Sequence, residues 1–91
     1  MELYRFIIFG RVQGVFYRKF VSQAAMKKQI RGYVKNFPDG TVEVAAELID
    51  DDLEDFLELL RKGSPLSRVE DISYELIDDA DLVYDGFEIR Y

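Results

Sequence analysis

Between Thr41 and Leu60 the apolar residues change period within a few positions. Val42, Val44, Ala46 and Leu48 alternate with Thr41, Glu43, Ala45 and Glu47, the period-two pattern of a strand with one apolar face. Leu53, Phe56, Leu57 and Leu60 then recur at i, i+3, i+4 and i+7, the single stripe of an amphipathic helix. A one-faced strand and a one-striped helix each need something to cover the apolar side, so the pattern demands layers, with sheet packed on helix. Asp50, Asp51 and Asp52 suit the positive N-terminal end of that helix, and Arg61, Lys62 and Gly63 close it.

The remaining segments fit the same scheme. Leu3 to Phe9 is apolar on both alternating faces, as expected of a central strand. Arg18 to Gln29 reads as a helix whose buried stripe is Phe20, Val21, Ala24 and Ala25, with Lys27 and Lys28 near its negative pole. Gly32 to Phe37 and Thr41 to Leu48 form a hairpin through Pro38, Asp39 and Gly40. Val69 to Ile77 is a fourth strand with Ile72, Tyr74 and Leu76 on one side, and Phe87, Ile89 and Tyr91 mark a short C-terminal fifth. The order is βαββαβ plus a terminal strand. With both helices on one face of a mainly antiparallel sheet and right-handed crossovers, the expected fold is an α+β, ferredoxin-like sandwich. That architecture hosts many unrelated functions and selects none of them.

Length and composition narrow the chemistry. Ninety-one residues, 48% of them apolar, are enough for one core, so residues 1–91 are read as one domain and as a monomer. With neither cysteine nor histidine, thiol nucleophiles, zinc–thiolate sites and imidazole bases or ligands are all excluded. The clusters Asp50–Asp52 and Asp78, Asp79, Asp81 and Asp85 lack the alternating ligands and central glycine of a calcium loop, so no metal site is expected. No apolar run approaches the ~18 residues of a spanning helix, and the start of the chain lacks a basic leader; a cytoplasmic protein is expected. A formal charge of -6 argues against nucleic-acid or membrane binding, since both reward positive charge. Any anion must therefore be captured locally.

The stretch from Gly10 to Phe20, GRVQGVFYRKF, is built for local capture. Gly10 and Gly14 permit backbone angles that turn successive N–H groups inward as an anion nest. A helix beginning near Tyr17 adds its positive end, and Arg18 adds a planar fork able to hold two phosphate oxygens. The pattern is neither a Walker A loop, which ends Gly-Lys-Ser/Thr, nor a dinucleotide fingerprint, which needs a third glycine. Arg11, Lys19 and Lys35 either steer the anion or solubilise the surface. Phe16 and Tyr17 read as packing residues. Asn36, beside Pro38-Asp39-Gly40, is on its own a hairpin residue. Two other readings share the architecture: an RNA-recognition sheet stacking bases on Tyr4 or Tyr33, opposed by the acidic charge and the missing RNP1 pattern, and a sensor domain that keeps the phosphate loop but binds its ligand without turning it over.

GRVQGVFYR followed by GYVKNFPDGTVEV resembles the acylphosphatase family, whose pattern is G-x-V-Q-G-V-x-[FY]-R and then G-[WY]-V-x-N-x-x-D-G-x-V-E. GSPLSRVEDI and the closing GFEIRY extend the resemblance over nearly the whole chain. It implies a metal-free, cofactor-free enzyme with the ferredoxin-like fold that hydrolyses the carboxyl–phosphate bond of acyl phosphates, with inorganic phosphate as product or inhibitor. On that resemblance Gly10 through Phe16 form the phosphate loop, with Val12, Gln13, Gly14 and Val15 presenting backbone N–H groups. Arg18 is the phosphate-binding arginine and Asn36 orients the water. The chain departs from the family at Val21, where a hydroxyl residue is common, at Gln29, where a glycine often ends the first helix, and at Ala46 and Glu47, where a glycine often follows the third strand's glutamate.

Overall fold

β1 (Glu2–Arg11), β3 (Val42–Leu48) and β2 (Gly32–Asn36) form the centre of a five-stranded sheet ordered β4-β1-β3-β2-β5, with β4 (Arg68–Ile77) and β5 (Phe87–Arg90) at its edges. The computed structural model describes residues 1–78 and 82–91. Every pairing is antiparallel except that of β2 with β5, which run parallel. Helices α1 (Tyr17–Lys27) and α2 (Leu53–Lys62) cover one face, giving the ferredoxin-like sandwich with an added fifth strand.

The period-two pattern decides what lies between the layers. Tyr4, Phe6 and Ile8 of β1 share the helix-side face with Val42, Val44, Ala46 and Leu48 of β3, and all of them are buried. Phe56, Leu57 and Leu60 of α2 close over them, the Phe56 and Phe6 ring centroids lying 5.3 Å apart. Burial of side chains this large stabilises by ~1.5–3 kcal/mol each.

Several local expectations are revised. The buried stripe of α1 is Tyr17, Val21, Ser22 and Ala25, at i, i+4, i+5 and i+8, so the helix is rotated and Phe20 and Ala24 are only half-buried. Asp50–Asp52 form a separate 3-10 turn before α2, where Asp50 accepts a 2.6 Å hydrogen bond from the Tyr4 hydroxyl. Asp79 and Asp81 of the second acidic cluster lie outside the described residues. The second face of β3 is also covered: Ala45 is fully buried and Glu43 is 7% exposed. Arg5 and Tyr33 flank Ala45 from the neighbouring strands, and the Tyr33 hydroxyl donates to Glu43 at 2.7 Å. On β4, Tyr74 and Leu76 face the helix side yet stay 48% and 58% exposed, because an edge strand has a neighbour on one flank only.

Departures from the family pattern gain structural meaning here. Val21 lies fully in the core, where a hydroxyl would need a buried partner. Gly32, opposite Ala46, is the position of closest backbone approach: a Cβ there would stand 1.8 Å from the Ala45 carbonyl oxygen. Gln29 follows the Lys28 cap of α1 in the left-handed conformation, φ 58°, with Ile30 N–H returning to the Ala25 carbonyl at 2.9 Å. That is the glycine position of a helix C-terminus, filled by a residue that resists it. Replacing exposed Gln29 by Gly is expected to stabilise the fold by about 0.5–1 kcal/mol, the ~1–2 kcal/mol of relieved strain less the entropy glycine returns to the unfolded chain. Urea denaturation would show a higher midpoint with an unchanged slope; a lower midpoint would refute the strain argument.

Candidate active site

The loop between β1 and α1 is shaped first by Gly10. This residue lies within β1 at φ 127°, where the register with β4 slips so that Phe9 faces Asp71 while Gly10 faces Val69. A Cβ on Gly10 would sit 2.1 Å from the Arg68 carbonyl oxygen, so only glycine allows the two backbones to approach this closely. Beyond it the chain turns through Gly14 at φ 72° and Phe16 at φ 64°, the residue that caps α1. Among the described residues, no backbone N–H from Gln13 through Lys19 donates to a backbone carbonyl. Phe20 N–H, bonded to the Phe16 carbonyl at 3.0 Å, makes the first helical bond. The result is a run of unpaired donors beside a helix N-terminus, the chemistry of an anion nest.

Anchors on the far side hold this loop. The Gln13 side-chain amide donates to the carbonyls of Phe37 and Thr41 at 2.7 and 2.8 Å, fastening the loop to the ends of the β2–β3 hairpin. Val15 is buried in the core, and its carbonyl accepts from the Ser64 hydroxyl at 2.6 Å. Tyr17 is buried and donates to the Leu60 carbonyl at 2.8 Å; burial pushes its phenol well above the ordinary range, which keeps the donor protonated. Val12, Gly14 and Phe16 border a cleft of about 510 Å³ that Arg18 and Asn36 also line. Gly10 lies in the strand that feeds the loop, and the Gln13 and Val15 side chains point to the hairpin and the core.

Topology explains why Arg18 and Asn36 meet. Asn36 is the last residue of β2, on the same face as buried Val34 and so beneath the helix layer. Parallel pairing places Ile89 beside Val34 and Arg90 beside Lys35, bringing the end of β5 next to Asn36. Arg18, in the first turn of α1, reaches across to donate from Nη1 to the Arg90 carbonyl at 3.0 Å, and its guanidinium lies 4.7 Å from the centre of the Tyr91 ring. The cation is thereby positioned without an ion pair to any carboxylate among the described residues. Asn36 lines the cleft, and among the described residues its buried Oδ1 has no hydrogen-bond partner, an acceptor that costs free energy unless a donor meets it.

Of the three flanking cations Arg11, Lys19 and Lys35, Lys19 alone lines the cleft. Ile89 and Tyr91 had been assigned only to a terminal strand; Tyr91 falls just beyond β5, 91% exposed, and forms one wall. Phe16, read as a packing residue, is instead 70% exposed at the rim. Ser64 and the Gln13 amide were legible only as part of longer motifs, since nothing in local spacing tells where a side chain 24 or 49 residues away will bond. Tyr4 and Tyr33 are both buried, which removes the ring faces a base-stacking sheet would use. No helix among the described residues is long and apolar enough to cross a membrane.

Comparison with known proteins converges on one family. The family model described as acylphosphatase matches residues 4–89. The chain is 44% identical over 91 residues, all of both chains, to a protein of Bacillus licheniformis named acylphosphatase. Its structure superposes on the crystal structure of acylphosphatase from Bacillus subtilis with a TM-score of 0.89 and 43% identity over all of both chains. The structure of an acylphosphatase from Coxiella burnetii gives 0.85 and 34%, covering 98% of this chain and 92% of that one. A family match from Tyr4 to Ile89 and identity of this extent leave one reading: the chain belongs to the acylphosphatase family.

Proposed function

We propose that the protein hydrolyses acyl phosphates, with the phosphoryl group held by the amides of residues 12–16 and by Arg18, and with the attacking water oriented by Asn36. The observation that carries this reading is the meeting of Val12, Gly14, Phe16, Arg18 and Asn36 around one cleft, with the loop amides free of backbone carbonyls and the Asn36 Oδ1 unpartnered among the described residues. An anion nest alone fits any phosphate binder; an acceptor beside it adds a place for a nucleophile.

The chemistry suits a cleft lined, among the described residues, by no imidazole, thiol or acidic side chain. Water attacks phosphorus, the bond from phosphorus to the carboxyl oxygen breaks, and the electron pair leaves with a carboxylate that is stable at neutral pH. Departure therefore needs no general acid. What remains is stabilising charge on the equatorial oxygens of a loose transition state, which fixed N–H dipoles and one bidentate guanidinium supply. Asn36 Oδ1 accepts a hydrogen bond from water and aims its lone pair along the line of the breaking bond. A neutral amide cannot keep a proton, so the phosphoryl oxygen takes it and inorganic phosphate is released.

Each role has its own kinetic signature. Arg18→Ala is expected to cut benzoyl phosphate kcat/KM at least ~10²-fold and to abolish inhibition by inorganic phosphate. Asn36→Ala is expected to lower kcat about 10²-fold while the phosphate inhibition constant stays near that of the natural chain, because this side chain meets the water and not the ligand. Full turnover in Asn36→Ala would remove the water-orienting role. Tyr91→Ala removes one cation–π contact of ~0.5–1 kcal/mol, so phosphate inhibition is expected to weaken by about two- to five-fold; an unchanged constant would mean that the Arg90 carbonyl alone sets the guanidinium.

A further inference from the structure

We propose that Ser64 is a positioning residue for phosphoryl recognition: its hydroxyl fixes the peptide unit between Val15 and Phe16 so that the Phe16 N–H faces the cleft. The proposal rests on reading that cleft as a phosphoryl site.

Ser64 follows Gly63, the residue that ends α2, and is 4% exposed. Its hydroxyl donates to the Val15 carbonyl at 2.6 Å. Its own carbonyl accepts from the Ser67 N–H at 3.0 Å and from the Ser67 hydroxyl at 2.8 Å, so the residue is held on both sides. The chain passes close by at Gly63, where a Cβ would lie 2.3 Å from Ser67 Oγ and 3.2 Å from the Tyr17 ring. With the Tyr17 hydroxyl bonded to the Leu60 carbonyl, two buried hydrogen bonds clasp the end of α2 to the start of α1, one on each side of Phe16.

The effect on the loop follows from the planarity of the peptide bond. In a trans unit the C=O and the next N–H point in opposite directions, and no peptide among the described residues is cis. Drawing the Val15 carbonyl inward to a buried hydroxyl therefore turns the Phe16 N–H outward, to the side where Phe16 borders the cleft. That N–H is among the donors left without a backbone carbonyl. Phe16 itself stands at φ 64° and ψ 22°, a conformation an aromatic residue resists, so the peptide entering it must be held by its surroundings. A buried hydroxyl must find an acceptor, and the one Ser64 takes is the carbonyl of the peptide that carries the Phe16 N–H.

The test uses the full chain, natural and with Ser64→Ala, Ser64→Cys or Ser67→Ala, each verified as folded by circular dichroism at the assay temperature. Inorganic phosphate is titrated while the Phe16 amide is followed in ¹H–¹⁵N spectra, and benzoyl phosphate hydrolysis is measured in parallel. Ser64→Ala is expected to weaken phosphate binding about 10-fold, to lower kcat ~10- to 100-fold and to shrink the phosphate-induced shift of the Phe16 amide. Ser64→Cys, nearly isosteric but a weaker donor, should fall between. Ser67→Ala should lower the melting temperature without changing phosphate affinity. Folded Ser64 variants that keep the natural affinity and the natural Phe16 shift would overturn the proposal, as would a loss of affinity in Ser67→Ala equal to that in Ser64→Ala. A natural chain that binds phosphate at this amide yet fails to hydrolyse benzoyl phosphate would defeat the activity reading, while the amide shift would still decide the role of Ser64.

Discussion

A loop that keeps its N–H groups unpaired has given up the bonds that normally hold a backbone in shape, and everything at this site depends on how that loss is offset. The compensation comes from behind. Gln13 ties the loop to the hairpin, Val15 is sunk in the core, and Ser64 and Tyr17 join it to α2. Each anchor uses a carbonyl or a side chain and leaves the amides free. An anion in the cleft would supply the missing acceptors, so on the proposed reading the unpaired amides that cost the loop free energy favour a bound phosphoryl group.

The parallel fifth strand serves the site in a second way. Because β5 runs alongside β2, its end arrives next to Asn36 and delivers the Arg90 carbonyl and the Tyr91 ring to Arg18. A carbonyl and an aromatic face hold a guanidinium without cancelling its charge, whereas a carboxylate partner would compete with the substrate. Long range is the rule here, since Arg18 and Arg90 are 72 residues apart in sequence.

How much of this could be read from the sequence follows from the range of each interaction. The order of strands and helices was legible because hydrophobic period is a local signal, and α2 with Leu53, Phe56, Leu57 and Leu60 carries it most clearly. The stripe of α1 was misread by about one position because Tyr17 and Ser22 count as polar by type yet are buried, the first by bonding Leu60 and the second by bonding the Lys19 carbonyl. The back face of β3 reads as the polar one from Thr41, Glu43, Ala45 and Glu47; Arg5 and Tyr33, which cover it and pair with Glu43, come from other strands. Val12, Gly14, Phe16, Arg18 and Asn36, named from a motif, meet in one cleft together with Lys19, the neighbour of Arg18, whereas Ser64 and Tyr91 reach the site or its loop through tertiary placement that no local pattern encodes.

The opposition between an acidic chain and an anion cleft is resolved by distance. A net charge of -6 is spread over a body 31 × 25 × 22 Å in extent. At physiological ionic strength the Debye length is about 8 Å, so most of those carboxylates are screened from a phosphoryl group by the time it enters the cleft. What it meets there is short-ranged: loop amides, a helix N-terminus, Arg18 and Lys19, in a cleft lined by no aspartate or glutamate among the described residues. Hydrogen-bond donors and partial charges at contact distance act where screening is weakest, and they act only on a group of the right shape. On the proposed reading, these local donors serve a small phosphoryl ligand, while the net negative charge of the chain disfavours extended polyanions.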